Sequence, residues 1–388
     1  MSHPPLRVIA VGGAGAMGRW AVRTLAQLGT AAVLTVADID ENRARRLAQE
    51  IGGPCRALAL DATDPGALSA AFADYDVVVN TMGPFATFVR PVLEAALDAR
   101  CHYLDINDDW QPTVSAFGYD ADARMHGLHI VVGLGGSPGV TNLCAVLAAE
   151  RLDRVDELYT GWKVAGATAV DEPGYPAAKA SAAVEHWLHQ CSGPIRVWSE
   201  RAVAQTDAVR KVTLDFPGRG KVDAYTMGHP EPVTLPRRYP GLRTCLNLQS
   251  GPTWLLDHLR HVGQEFAAGR VGLREGAEML ADPPRPAEQG PRDPLPVEWG
   301  LAVGIRDGRR HTVAAYPRHF HPARMGGNTG VPLAVGVELL RRGLLRDTGV
   351  HAPETAVDPL AFFDVLAPLI DPSLTGAGDL IAVEEVAA

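Results

Sequence analysis

The chain has 388 residues, too long for one small domain and suited to two, with 46% apolar and 21% charged residues; this composition builds a core and excludes a disordered chain. A net charge of −9 excludes a general binder of phosphate backbones, so no nucleic-acid partner is expected. Five scattered cysteines form no C-x-x-C pair, which excludes a disulfide framework and fits a cytoplasmic setting, and neither a signal core nor an apolar run of ~20 residues predicts a membrane partner.

Residues 7–140 read as strands alternating with helices. RVIAV ends in glycines, and Met17, Ala21, Leu25 and Leu28 follow at helical spacing. AVLTVAD (32–38), RALALD (56–61), DVVVNT (76–81), CHYLDI (101–106) and LHIVVG (128–133) are further strand candidates. ENRARRLAQEI is a helix with a charged face, and Val89, Val92, Leu93, Ala96 and Leu97 make one apolar helix face. This alternation predicts α/β class: a Rossmann-type doubly wound parallel sheet covered on both sides.

After Gly139 the rhythm changes. TNLCAVLAAERL reads as a helix, followed by half-polar strands ELYTGWKVAG (157–166), IRVWSER, AVRKVTLDF and KVDAYTM. A helix over SGPTWLLDHLRHVGQEF and a proline-rich surface loop at 282–296 precede the clearest hairpin, GLAVGI-RDG-RRHTVAAY, turning at Asp307-Gly308. Pro332 suits a first helical turn and Gly343 a C-terminal cap for LAVGVELLRRG. The expected division is a dinucleotide-binding domain at 1–140, an inserted α+β substrate and dimerisation domain at 141–325, and a helical segment at 326–388 returning to the first domain.

Gly13-Ala14-Gly15-Ala16-Met17-Gly18 is G-x-G-x-x-G between a strand and a helix. Gly13 allows the tight turn, Gly15 lets a pyrophosphate approach the backbone, and Gly18 lets the helix pack on the strand. The helix amides, those near Ala16 and Met17 included, then face the phosphates. Asp38, with Ile39 beside it, stands about twenty residues on, where an acid bonds ribose hydroxyls and repels a 2′-phosphate. NAD is therefore favoured over NADP; Asp40 adds to this, and Arg43 and Arg45 argue against it. Asp61-Ala62 either borders the adenine or caps a helix. Asn80-Thr81-Met82-Gly83-Pro84-Phe85 follows the fourth strand and is placed along the ribose and nicotinamide. The loop Gly133–Asn142, with Gly135 and Pro138, is glycine-rich either for close approach to the cofactor or as a hinge.

Tyr103-Leu104-Asp105-Ile106-Asn107-Asp108-Asp109 ends the fifth strand. Three carboxylates within five residues raise one another's pKa, which suits Asp105 as a base and Asp108 as a substrate contact; helix capping is the alternative for Asp108 and Asp109. Lys163 is a catalytic candidate or an ordinary strand lysine. His186 and Trp187 sit on AAVEHWLHQ as substrate contacts or packed side chains. GHPEPVTLPR is either a stiff connection or a segment presenting His229 as acid or base and Arg237 as a carboxylate clamp, with Arg238 and Tyr225 nearby in sequence. His311, His319 and His321 have no carboxylate or cysteine at ligand spacing, so no metal is expected.

GGAGAMGRW, DVVVNTMGPF, HYLDIND, GLGGSPGVTN, GHPEPVTLPR and TGVPLAVGVELLRRG with GVHAPE together resemble saccharopine dehydrogenase (reductase) and its relatives lysine 6-dehydrogenase and carboxynorspermidine dehydrogenase. The resemblance covers nearly the whole chain. It implies NAD(P)-dependent oxidation of an amine on an amino-acid substrate, with lysine-derived ones foremost, or the reverse reductive amination. Hydride transfer would form an imine that water splits. Asp105 or His229 would be the base, with Arg237 and Asn328 gripping a substrate carboxylate. A homodimer is implied as well. Asn107-Asp108-Asp109-Trp110 departs from the glycine and glutamate that often follow this strand, and so bears on substrate preference. Two alternatives stand beside this one: a redox-neutral aminoalkyl transferase of the homospermidine-forming kind, and a non-catalytic NAD-binding regulator.

Overall fold

The computed structural model describes residues 4–164, 182–284 and 293–387. Part of the proline-rich segment expected to be a surface loop, and the end of the strand expected over 157–166, lie outside them. The chain divides into two compact units, residues 1–140 with 319–380 and residues 141–318 with 381–388.

The first unit holds β1 (Leu6–Val11), β2 (Ala31–Asp38), β3 (Cys55–Ala59), β4 (Val77–Asn80), β5 (His102–Asp105), β6 (His129–Val131) and β15 (Gly349–His351). They form one parallel sheet in the order β15-β6-β5-β4-β1-β2-β3. Val8, Ile9, Ala10, Val77, Val78 and Val79 are wholly buried, as strands covered on both faces require. The strand order reverses between β1 and β4, which opens a crevice beyond their carboxyl ends. Asp40 and Asp64 cap the helices Glu41–Ile51 and Pro65–Phe72 through backbone amides.

The second unit holds β7 (Arg154–Lys163), β8 (Pro194–Ser199), β9 (Ala202–Asp207), β10 (Lys211–Phe216), β11 (Gly220–Thr226), β12 (Thr244–Ser250), β13 (Glu298–Arg306), β14 (Arg309–Pro317) and β16 (Ile381–Ala387). The mixed sheet runs β10-β11-β12-β7-β13-β14-β16, with β8 paired to β12 and β9. β7 and β12 are parallel; the other pairs are antiparallel. One face carries Tyr159, Leu246, Leu248, Trp299 and Leu301 into an apolar core. Alternation places Thr160, Trp162, Asn247, Gln249 and Glu298 on the other face. The expected hairpin is present: Asp307 and Gly308, at φ 49° and 73°, make the two-residue turn between β13 and β14.

Two expectations for the tail are corrected. The last strand, β16, pairs with β14 in the second unit's sheet, because its alternating Ile381-Ala-Val-Glu pattern completes an antiparallel edge. The helix expected to begin near Pro332 begins at Arg324, and Pro332 lies inside it. Gly326 and Gly330 explain the longer helix: a Cβ on either would stand 2.9 Å from Ala16 O or 2.3 Å from Met17 O, so this helix packs backbone to backbone on Gly18–Gln27. Glu338 ties its far end to Thr30 Oγ1 at 2.7 Å and pairs with Arg341 and Arg342.

At the other end of the first sheet, His102 Nδ1 accepts the backbone N–H of His129 at 3.0 Å. Burial, then the neighbouring His129, pushes the His102 pKa down to about 4, with Asp76 opposing. The folded state thus prefers neutral His102. Its stabilising contribution is full above the usual value of 6.5 and disappears as pH falls towards about 4. The expected size is on the order of 3 kcal/mol. His102→Gln should flatten the pH dependence of the denaturant midpoint in that window; an unaltered slope would show that His102 does not cause it.

Candidate active site

The loop after β1 forms a cradle. Gly13, Ala14 and Gly18 are buried, whereas Gly15, Ala16 and Met17 form a partly exposed rim. The turn conformation falls to Gly12, at φ 69°, and not to Gly13, correcting the role read from the motif; the doubled Gly12-Gly13 was the signal. Gly13 is required for another reason, since its Cβ would lie 2.8 Å from Ala10 O. A Cβ on Gly18 would lie 2.4 Å from Gly12 O and 2.6 Å from Thr81 Oγ1. A Cβ on Gly15 would meet only Gly12 O at 3.0 Å, so its outer side is open. No side chain caps the helix that starts at Gly18, which leaves its first turn to an anion. These features fit a dinucleotide, held by Gly13–Gly18 at its pyrophosphate.

Asp38 ends β2 beside this loop, and its carboxylate accepts the N–H groups of Ala14 at 3.3 Å and Asp40 at 3.1 Å. Ile39 is 73% exposed next to it. Asp40 caps the helix Glu41–Ile51, accepting from Asn42 N and Arg43 N. Arg45 pairs with Glu41, whereas Arg43 donates to Ala14 O at 3.0 Å. Asp61 is exposed and closes its own turn on Thr63, with Ala62 buried beside it.

The loop after β4 is pinned to the cradle. Thr81 Oγ1 donates to Val11 O and Gly12 O, both at 3.0 Å. Asn80 is wholly buried, accepts from Met82 N at 3.0 Å and donates to Tyr103 OH at 3.0 Å. Met82 and Gly83 follow, and Pro84 precedes the helix that opens at Phe85.

Asp105 is wholly buried at the end of β5. It accepts from Tyr103 OH at 2.8 Å, Asn107 N at 3.0 Å and Gly133 N at 2.7 Å. Burial is the main cause that pushes its pKa up to about 6; the Asp108 charge adds least. Its oxygens therefore hold β5 to the loop Gly133–Gly139. That loop is wound on itself: a Cβ on Gly139 would lie 2.0 Å from Gly135 O, and Gly135 N donates to Pro138 O at 2.9 Å. Close packing within the loop requires Gly139 to lack a side chain. Asp108 is half-buried, and Asn107 organises the turn through Asp109 and Thr113. Asn328 spends its Oδ1 on His321 N at 2.9 Å, near the start of its helix.

In the second unit a different group gathers on the polar face of the sheet. His229 is buried and its Nδ1 lies 3.5 Å from Glu231 Oε2. Glu231 Oε1 accepts from Asn247 Nδ2 at 2.8 Å and Thr141 at 3.3 Å. The Trp162 ring lies 6.2 Å from His229 and 6.4 Å from Trp187, whose Nε1 donates to Gln249 at 3.3 Å. His186 bonds Gln190 at 2.6 Å. Lys163 reaches Asp293 O at 3.1 Å and its carboxylate at 3.7 Å. Residues 231–238 form a helix where a stiff connection or presenting segment was read; it leaves His229 buried before its start and Arg237 exposed at its far end. Sequence reasoning passed over Glu231, Asn247, Gln249 and Glu298; burial pushes Glu298 up to about 8.

Residues 8–170 match the family model described as the saccharopine dehydrogenase NADP binding domain. Apo saccharopine dehydrogenase (L-Glu forming) from Saccharomyces cerevisiae is 14% identical, with 98% of this chain and 100% of that chain covered at a TM-score of 0.59. That likeness shows a shared fold. GenD2 from gentamicin A biosynthesis, in complex with NAD, is 15% identical over 100% of this chain and 97% of that one, at a TM-score of 0.43. Hydroxysteroid dehydrogenase from Escherichia coli matches 32% of this chain and 73% of its own, with 16% identity and a TM-score of 0.29.

Proposed function

We propose that this chain, whose residues 8–170 match the saccharopine dehydrogenase NADP binding domain, is an NAD(P)-dependent oxidoreductase of that family that oxidises a C–N bond in an amino-acid-derived amine, with lysine-derived ones foremost, or catalyses the reverse reductive amination. The observation that carries the amine is the group Trp162, Trp187, His229 and Glu231 on one sheet face. Indole faces attract ammonium groups, and an imidazole can take a proton from a bound amine.

The bound nicotinamide supplies the acceptor for the two electrons and the hydrogen leaving the carbon. His229 takes the proton of the substrate nitrogen, since only the neutral amine can push its lone pair towards that carbon. With Nδ1 turned to Glu231, the accepting atom is Nε2, and Glu231 offsets the charge that forms. Asp105 is a positioning residue: a carboxylate bonded by Tyr103, Asn107 and Gly133 holds the loops at the strand ends in register. Lys163, His186, Asp108 and Asn328 are assigned to binding and orientation. The family resemblance further supports a homodimer in the cytoplasm.

The test is reduced-nicotinamide absorbance with the full chain, NAD or NADP, and a panel of lysine, saccharopine, diamines and N-substituted lysine adducts. A rise with one amine is expected. His229→Gln should then lower kcat about 100-fold or more with unaltered dinucleotide affinity. Turnover of alcohols alone, or an unaffected His229→Gln enzyme, would overturn the assignment.

A further inference from the structure

We propose that Glu298 anchors a second, non-reacting ammonium group of the substrate, so that this chain selects amines with two cationic nitrogens over monoamines. The inference rests on the amine reading given above and names the residue that selects within it. Glu298 opens β13 and stands opposite Trp162 of β7. Its side chain thus shares a sheet face with the indole that meets Trp187 and His229.

Two other buried carboxylates of this unit are held by partners. Glu157 accepts from Arg243, Arg310 and Tyr159. Glu231 accepts from Asn247 and lies beside His229. Gln249, the neighbour of Trp162 on β12, accepts from Trp187 Nε1 and donates to Cys191 Sγ. Glu298 differs. It is 8% exposed, and burial alone sets its ionisation, with no hydrogen bond and no neighbouring charge to offset it. The Cys144 thiol near it, held well up by burial, brings no positive charge. Trp162 Nε1 is buried without a hydrogen-bond partner among the described residues.

A buried polar group without a partner costs free energy, and folded chains keep few of them. A donor and an acid side by side, both in that condition, mark a place built for a polar ligand. An ammonium group satisfies the acid: its charge offsets the carboxylate, and its N–H groups donate to the carboxylate oxygens. The indoles of Trp162 and Trp187 attract the same charge and cover the alkyl chain that carries it. Oxidation at His229 involves one nitrogen, so the one at Glu298 is the other.

The experiment is calorimetric titration of the full chain with cadaverine and pentylamine, and with lysine and norleucine, for wild type, Glu298→Gln and Glu298→Asp. The members of each pair differ by one terminal nitrogen. Wild type should bind cadaverine and lysine about 10- to 100-fold more tightly than their counterparts. Glu298→Gln should reduce that ratio below about 3-fold, and Glu298→Asp, which keeps the charge, should fall between. In turnover, the loss should appear in KM for the two-nitrogen amine. Retained monoamine binding shows that the variant is folded. Equal weakening of both members of a pair would make Glu298 a structural residue and overturn the proposal. So would a wild type without preference between them. A wild type that selects cadaverine yet reduces neither NAD nor NADP with any amine would leave the anchor standing and overturn the oxidation proposed above.

Discussion

Gly18→Ala is expected to destabilise the chain by on the order of 3 kcal/mol and to lower dinucleotide affinity by at least about 30-fold. The added methyl would stand 2.4 Å from Gly12 O, 2.6 Å from Thr81 Oγ1 and 2.8 Å from Gly13 Cα. Two of these are backbone atoms of the same cradle, and the third is a hydroxyl already bonded to Val11 O and Gly12 O. Nothing flexible is available to give way, so the helix must lift from the strand. Gly15→Ala offers the contrast. Its methyl meets one loop carbonyl at 3.0 Å, which a shift of a few tenths of an ångström relieves. That protein should melt close to wild type and still lose about 10- to 100-fold in affinity, because the methyl occupies the open side of the rim. Thermal unfolding and calorimetry measure both. A Gly18→Ala protein with wild-type Tm and affinity would refute the packing argument; a Gly15→Ala protein with wild-type affinity would move the pyrophosphate elsewhere.

Replacing Glu298 by Gln should make the chain more stable above neutral pH, by on the order of 4 kcal/mol at pH about 9. Burial pushes the Glu298 carboxyl from 4.5 to about 8, so the folded state holds it protonated where the unfolded state has lost the proton. A raised folded pKa means that the stabilising contribution is complete below 4.5 and is lost as pH rises through about 8. Glutamine keeps the shape of the neutral acid and removes the titration. Denaturant midpoints of wild type and Glu298→Gln should coincide near pH 4 and diverge steadily to about 8. Parallel curves would show that the carboxyl ionises without cost in the folded chain. Its place explains the environment: it stands opposite Trp162 across the β13–β7 pair, and Gly300, two residues on, lets Ala145 come to 2.1 Å of where a Cβ would be. The same burial, with the Glu298 charge adding to it, pushes the Cys144 thiol well up.

The parallel sheet was legible because its strands are buried on both faces. VIAV and the VVV of VVVN are continuous apolar runs bounded by glycines or a polar turn. β12 was not legible for the opposite reason. TCLNLQS puts Leu246 and Leu248 in an apolar core and Asn247 and Gln249 among buried polar partners, so both faces are inside while only one is apolar. A strand whose buried face is polar has the composition of a loop. The helix at 231–238 was hidden similarly, because its three prolines 230, 232 and 236 suggested a stiff connection; they lie at the N-cap, in the first turn and in the last.

The residues alone determined the α/β class, the glycine cradle between a strand and a helix, and the acid at the end of the second strand, since each depends on contacts between near neighbours in the chain. No disulfide links the cysteines of the described residues. Tertiary structure alone decided what each polar group is used for. Asp105 became a buried tie between two loops, Asp40 a helix cap, and Arg43 a donor to Ala14 O. It also brought Trp162 and Asn247 from separate strands to His229 and Glu231. Periodicity specifies which face of an element is buried, but the partner of a hydrogen bond is chosen by distance in space, and residues far apart in sequence acquire that distance only when the chain has packed.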